Sequence, residues 1–289
     1  MNRLQEVEDW QGRITRYDYD LAGHLEQITR PNGTVREMDY NNLHQITKIR
    51  EVNANGKRLM HWDYLAYDPL GRITSIAQRP VPEPEPNHPP PSFTNASFDD
   101  NNRILSVNGQ SVSYDLDGNM LSGPLSEQSV NINFDYDSRN RLRTVNALHT
   151  TTYTYDAENH RTGMTHDGET TEYVVNPHAE LSQILVKTAP DGSQTWYVYG
   201  LGLLYSVDET ENTTNYHFDH LGNTIVLSDD DGNLTDTYEY SPYGTLMHHT
   251  GSSDTEFLYN AQYGVLSDPN GLIHMRARYY NPYLRRFLE

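Results

Sequence analysis

The 289-residue sequence contains no cysteine. Disulfides, zinc–thiolate centres and cysteine nucleophiles are therefore excluded, although the compartment is not fixed by that absence. Basic residues are scarce: 21 Lys plus Arg stand against 40 Asp plus Glu, a formal net charge of -19. Neutralising phosphate needs a basic surface, so nucleic acid is not an expected partner, and anionic membranes are disfavoured for the same reason. Long apolar runs are missing, and none reaches the length of a membrane span. The amino terminus, Met1-Asn2-Arg3-Leu4-Gln5-Glu6, carries an acid early and has no apolar stretch, so it does not read as a secretory signal. Helical periodicity is absent as well: no window sustains apolar spacing at i, i+3 and i+4 over three turns.

Tyrosine is abundant, with 22 residues against 6 Phe, while hydrophobic residues make up only 35%. A disordered chain would lack those rings, so the expectation is a folded protein whose core is built from Tyr, with the hydroxyls reaching water or backbone. Self-similarity is the dominant signal. An aromatic–acid pair recurs, followed by a Gly or Asn: Tyr19-Asp20 with Gly23, Tyr67-Asp68 with Gly71, Tyr114-Asp115 with Gly118, Tyr136-Asp137 with Asn140, Tyr155-Asp156 with Asn159. Later copies are Phe218-Asp219 with Gly222 and Tyr240-Ser241 with Gly244. Most neighbouring copies lie roughly 16 to 24 residues apart, the length of one supersecondary unit.

Each copy reads as a hairpin. In Val112 to Leu121 a strand ends at Tyr114. The segment Asp115-Leu116-Asp117-Gly118-Asn119 then supplies turn chemistry, and a second strand begins. Arg13, Thr15, Tyr17 and Tyr19 share one face at period two. Thr, Tyr and Val favour strands. The expected fold is all-β: a long, coiling antiparallel sheet of tandem hairpins, each needing its neighbours to cover it. One stretch breaks the rhythm. Residues 79–91 are too rich in proline for a central strand and read as an extended surface loop, with a ligand for a proline-reading module as the alternative.

The repeated Tyr-Asp-x-x-Gly unit resembles the Rhs/YD-repeat family along essentially the whole chain. The last third adds an ordered set that resembles the Rhs repeat-associated core. It comprises Asn215-Tyr216-His217-Phe218-Asp219-His220-Leu221-Gly222-Asn223, then Tyr240-Ser241-Pro242-Tyr243-Gly244, then Asp268-Pro269-Asn270-Gly271-Leu272, then Arg276-Ala277-Arg278-Tyr279-Tyr280-Asn281-Pro282, then Arg286-Phe287. The resemblance implies a hollow β shell, as in bacterial Rhs effectors, insecticidal toxin-complex C components and teneurin ectodomains. It divides the chain into a shell segment over residues 1–210 and a core or plug region over residues 211–289. It also implies a C-terminal toxin domain fused downstream, an upstream shell segment or other toxin-complex subunits as partners, and a secreted or cell-surface setting.

In toxin members of the family a pair of aspartates, each in an Asp-Pro-x-Gly-Leu motif, cuts the toxin free. Asp268 matches the first, and the spacing places the second just past Glu289. One carboxylate alone cannot act as both base and acid. The chain as given is therefore expected to be inactive in self-cleavage, and its end is read as an imposed boundary or a gene fragment. The plain reading of Asp268-Pro269-Asn270-Gly271 is a turn.

Other motifs carry less. His217 and His220 flank Asp219, which suggests a metal, but packing within the fold is the favoured reading. Asp229-Asp230-Asp231-Gly232-Asn233 resembles a calcium loop without its bidentate Glu and reads as a hairpin turn. Arg276, Arg278, Arg285 and Arg286 form a basic cluster in an acidic chain; it reads as solvated or structurally paired, with the shell's inner carboxylates or a cleavage-site acid as its candidate partners. His248-His249 reads as a lone pair in a loop. No cofactor and no metal are expected. The leading function is an encapsulating shell segment with its plug. The alternatives are a cell-surface or carbohydrate-binding module using Tyr platforms, and a self-cleaving aspartyl protease core.

Overall fold

The computed structural model describes residues 3–79, 95–127 and 132–289. The proline-rich stretch expected at 79–91 lies, apart from Arg79, outside them. Among the described residues every regular element is a strand except one 3-10 turn, Ala261–Tyr263. Residues 6–79 form a seven-stranded sheet, residues 96–111 a three-stranded one, residues 113–250 a fourteen-stranded one, and residues 266–287 a four-stranded one. Each strand pairs antiparallel with its sequence neighbour, so the chain meanders up and down throughout.

The local reason is a turn used again and again. At Asp137 the backbone N–H donates to Arg141 O at 3.0 Å, and Asn140 N–H returns to Asp137 O at 3.0 Å. The Asp137 side chain closes the loop from inside: Oδ1 accepts Arg139 N–H and Arg141 N–H, and Oδ2 accepts Arg141 Nε–H at 2.7 Å. The fourth position must be left-handed, and Asn140 sits there at φ 59. That conformation is unfavourable for most L-residues but tolerated by Gly and Asn. This is why the repeat carries Asp, then Gly or Asn three residues later.

The tyrosine that ends many of these strands has a second task. Tyr19 donates its hydroxyl to Leu4 O, Tyr40 to Leu25 O, Tyr136 to Met120 O, Tyr155 to Leu142 O and Tyr199 to Ile184 O, at 2.6–3.0 Å. Tyr67 does the same to Ile46 O. Each ring thus reaches back about one repeat and ties successive hairpins together. A β-bulge precedes these rings, for instance at Asp18/Tyr19, Asp135/Tyr136 and Thr154/Tyr155. Bulges twist the strand and re-aim its side chain.

Strands alternate inward and outward. In Thr150–Tyr155, Thr151 and Tyr153 are buried, while Thr150 and Thr154 are exposed. Thr15 and Tyr17 likewise turn inward. The strands Gly202–Val207, Thr213–Phe218 and Thr224–Ser228 depart from alternation and are buried nearly throughout. They are covered twice. Met38, Ile49, Trp62 and Tyr64 of the seven-stranded sheet pack with Ile225 and Val226, and Tyr17 packs with Val198, Leu204 and Tyr205. Phe257, Leu266, Leu272, Tyr279, Leu284 and Leu288 pack with Tyr153, Tyr173, Tyr216 and Leu227.

The fourteen-stranded sheet runs through position 210 without interruption. The chain leaves it only after Thr250 and then folds back onto it. Thr224 N–H donates to Leu258 O at 2.8 Å, Asn281 Nδ2–H to Pro124 O at 2.9 Å, and Met120 N–H to Leu288 O at 2.8 Å. These three ties fix the returning segment, residues 251–289, against the sheet.

Candidate functional site

Asp268 opens the turn Asp268-Pro269-Asn270-Gly271-Leu272, which has the same hydrogen bonds as the shell turns: Asp268 N–H to Leu272 O at 2.8 Å and Gly271 N–H to Asp268 O at 2.9 Å. Its side chain does something different. In the shell the turn carboxylate folds back on its own loop. Here it points away, into the packed interface with the sheet, and is fully buried. Arg161 Nη1–H donates to both carboxylate oxygens at 2.8 Å. Tyr153 donates its hydroxyl to Oδ2 at 2.9 Å and accepts from Asn270 Nδ2–H at 2.7 Å. With Oδ1 and Oδ2 released from the turn, Asn270 Oδ1 takes the Leu272 N–H.

Arg161 lies between the Tyr153 and Tyr173 rings, 5.4 and 5.3 Å from their centroids. Tyr173 passes the network on, donating to Glu256 Oε2 at 2.9 Å, and Lys187 Nζ stands 3.2 Å from Glu256 Oε1. Burial pushes the Asp268 carboxyl up, and the Arg161 charge pulls against it. Burial also drives the Tyr153 and Tyr279 phenols up. Asp268 and Pro269 form the partition between two cavities of about 330 and 410 Å³. The larger one also reaches Glu256 and Lys187. The carboxylate is thus an anchored anion that ties the returning segment to the sheet. The acid whose charge bears on it is Glu256, itself engaged by Lys187 and Tyr173.

The remaining expected residues do not gather around Asp268. His217 is fully buried and links Glu51 Oε2 at 2.9 Å to Ser228 Oγ at 2.8 Å. Glu51 also accepts from Arg30 and Arg36, each at 2.9 Å. Burial opposes the charge on Glu51, but Arg30, His217 and Arg36 hold its carboxyl well below the usual range. Burial and the neighbouring Arg30 push His217 down, so it stays neutral and donates Nδ1–H to Glu51. Asp219 closes its own turn on Leu221 N–H and Asn223 N–H, and His220 turns its ring edge to Tyr64 at 5.1 Å. Gly222 sits at φ 85, and a Cβ there would fall 2.6 Å from the Tyr263 ring.

Three arginines of the cluster lie over rings, and the Arg278 charge also bears on the Glu289 carboxyl. Arg278 lies 3.6 Å over Phe287, Arg285 4.4 Å over Tyr243 and Arg286 5.4 Å over Phe98. Tyr280 meets Phe287 edge to face, and Pro282 lines the 330 Å³ cavity. Asp229 forms a hairpin turn, accepting Asp231 N–H and Asn233 N–H. His248 and His249 are not in a loop. They lie in the strand Leu246–Thr250, where His249 stacks on Tyr238 at 4.4 Å and bonds Asp236 at 3.0 Å.

Sequence reasoning missed Arg161, yet a signal existed. Five residues after the Asp or Asn that opens the turn, other repeats place Leu25, Ile46, Ile73, Ile104, Met120 and Leu142, whereas the Asp156 repeat places a buried arginine there. A buried charge in an apolar register implies a partner.

The teneurin YD-shell profile matches residues 37–289. The chain belongs to the teneurin YD-shell family. An RHS-repeat profile matches residues 2–35. Among curated proteins the chain is similar to the tRNA3(Ser)-specific nuclease WapA of Bacillus spizizenii, 30% identical over 198 residues, covering 65% of this chain and 8% of that protein. It is also similar to the tRNA nuclease WapA of Bacillus subtilis, 28% identical over 216 residues, again covering 65% and 8%. The chain thus spans less than a tenth of the length of these relatives. Among solved structures, the TcdB2-TccC3 complex superposes with a TM-score of 0.61 at 15% identity, over 99% of this chain and 20% of that one. The Tc holotoxin pore of Photorhabdus luminescens gives 0.60 at 16%, over 99% and 19%. At that identity the likeness shows the fold alone: this chain is built as a stretch of those β shells is built.

Proposed function

We propose that this shell segment encloses a polypeptide cargo, a toxin domain linked downstream, and that residues 251–289 act as the plug that presents the cargo to the shell. The supporting observation is the Arg161–Asp268 pair. A charge from a repeat strand and a charge from the returning segment meet in full burial, which fixes that segment to one face of the sheet. The reading agrees with the nuclease and toxin names of the similar proteins, and it places the protein outside the cytoplasm, in company with other toxin-complex subunits. Asp268 serves here as an anchor. Joined by a second acid, it would also supply half of a proteolytic pair.

The test is a fusion carrying a protease-sensitive polypeptide after Glu289, digested beside the same polypeptide fused to an unrelated domain. Slower cleavage next to the shell segment, lost in Arg161→Met, is expected. Equal digestion in both fusions would overturn the enclosure reading. Binding of the isolated chain to a glycan array, with Tyr263 or Tyr243 needed for it, would favour a sugar-reading surface instead.

A further inference from the structure

Beside Arg161, the partner of Asp268, lies a small space of about 30 Å³, lined by Arg161, His274, Arg276, Ser182 and Gly264 among others. Five nitrogen atoms around it are buried without a hydrogen-bond partner: Nε and Nη2 of Arg161, Nε and Nη2 of Arg276, and Nε2 of His274. Buried donors are almost always paired, so five unmet nitrogens in one place point to a missing ligand. Arg161 uses only Nη1 on Asp268, and its side chain is 1% exposed.

Arg276 adds an independent sign. It holds a left-handed backbone at φ 58, an unfavourable choice for an arginine, in a tight turn closed by Ala277 N–H to Met275 O at 2.7 Å. That strain aims a guanidinium at the cavity, yet no carboxylate bears on it among the described residues. The one carboxylate here, Asp268, is taken by Arg161, which leaves the Arg276 charge without a counterion. The volume admits a single water-sized ligand.

We propose that Arg161 and Arg276 hold one small monovalent anion, of halide size, in this cavity. Ser182 and Gly264 also line the open cavity of about 460 Å³ beside Tyr199, Leu201 and Tyr263, which gives the anion a way in. His274 makes the site proton-linked. The groups that face its ring are Arg161, Arg276 and the Tyr279 phenol ring, 4.9 Å away. Its bond to the Arg276 backbone favours the protonated ring, while burial and the two guanidinium charges oppose it. An anion between them offsets those charges and lets Nε2 carry a proton and donate.

The experiment is thermal unfolding of the intact chain in sodium bromide against sodium gluconate at constant ionic strength, together with anomalous scattering from a bromide-soaked crystal. Expected are a saturable rise in the unfolding midpoint with bromide, larger at lower pH, and an anomalous peak within hydrogen-bond distance of Arg161 and Arg276. Arg276→Gln should abolish the saturable rise. Equal responses to bromide and gluconate, an unchanged response in Arg276→Gln, or a cavity holding water without anomalous signal would each overturn the proposal. Should Arg276→Gln fail to fold, the anomalous peak in the parent chain decides alone.

Discussion

Tyr199 shows why the repeat prefers tyrosine to phenylalanine. The ring is half-buried against the core, and its hydroxyl donates to Ile184 O at 2.9 Å, one hairpin back. Tyr199→Phe keeps the packing and removes the bond, so chemical denaturation should read a loss of about 1 kcal/mol. Arg161 should behave differently. Arg161→Met strands the fully buried Asp268 carboxylate, and removing one partner of such a pair costs about 3–5 kcal/mol. Adding Asp268→Asn to Arg161→Met should recover part of that loss, because the two residues share one interaction. If the double variant were no more stable than Arg161→Met, the pair would not be the source of the loss. Glu289 gives a pH signature. Burial raises its carboxyl to about 7 from an ordinary 4.5, so the folded chain keeps a proton that the unfolded chain has released. Stability should therefore fall as pH rises from about 4.5 to about 7 and level off above. Glu289→Gln should flatten that limb in denaturant titrations across the window.

The hairpin is where the sequence was most legible. Asp at the first turn position and Gly or Asn at the fourth are a local code, and every copy quoted from the sequence that has both folds into the same turn. A substitution at the fourth position tests the code: Asn140→Val, forced into the left-handed region, should lower stability by about 1–2 kcal/mol. Asn140→Gly should be nearly neutral in the same measurement. Loss of similar size in both would mean that the Asn140 side chain matters more than its backbone. What the pattern could not give was the long-range partnering. Asp268 carries the same turn code as Asp137, but only the fold shows that its carboxylate is turned away from the loop toward Arg161, 107 residues earlier. The histidines at 248 and 249 were misread because a polar pair looks like loop. In a sheet edge with Asp236 and Tyr238 as neighbours, the same pair is ordinary strand.

At the scale of the whole chain, the seven-stranded sheet is held to the fourteen-stranded one by apolar packing and by one ionic knot. Glu51 brings Arg30, Arg36 and His217 together in full burial, and Arg36 Nη1–H also reaches Phe218 O at 2.6 Å. The residues come from both sheets, so the knot bears on how the two dock, a use to which buried polar networks are suited. Its pH behaviour is opposite in sign to that of Glu289. The Glu51 carboxyl is held below the ordinary 4.5, so its contribution is fully present through the neutral range and is lost as pH falls through the folded value in strong acid. Glu51→Gln removes the shared counterion and leaves the buried guanidinium groups of Arg30 and Arg36 without it at the interface, which should weaken docking by about 3–5 kcal/mol. Hydrogen exchange can locate that loss. Protection should drop in Ile46–Val52 and Thr213–Phe218, the strands that meet at the knot, while Thr150–Tyr155, covered by the returning segment, keeps its protection. A repeat sheet in which each hairpin leans mainly on its neighbours permits such local release. A uniform drop along the fourteen-stranded sheet would show instead that the two sheets unfold as one unit, and that the knot carries global stability more than it fixes their docking.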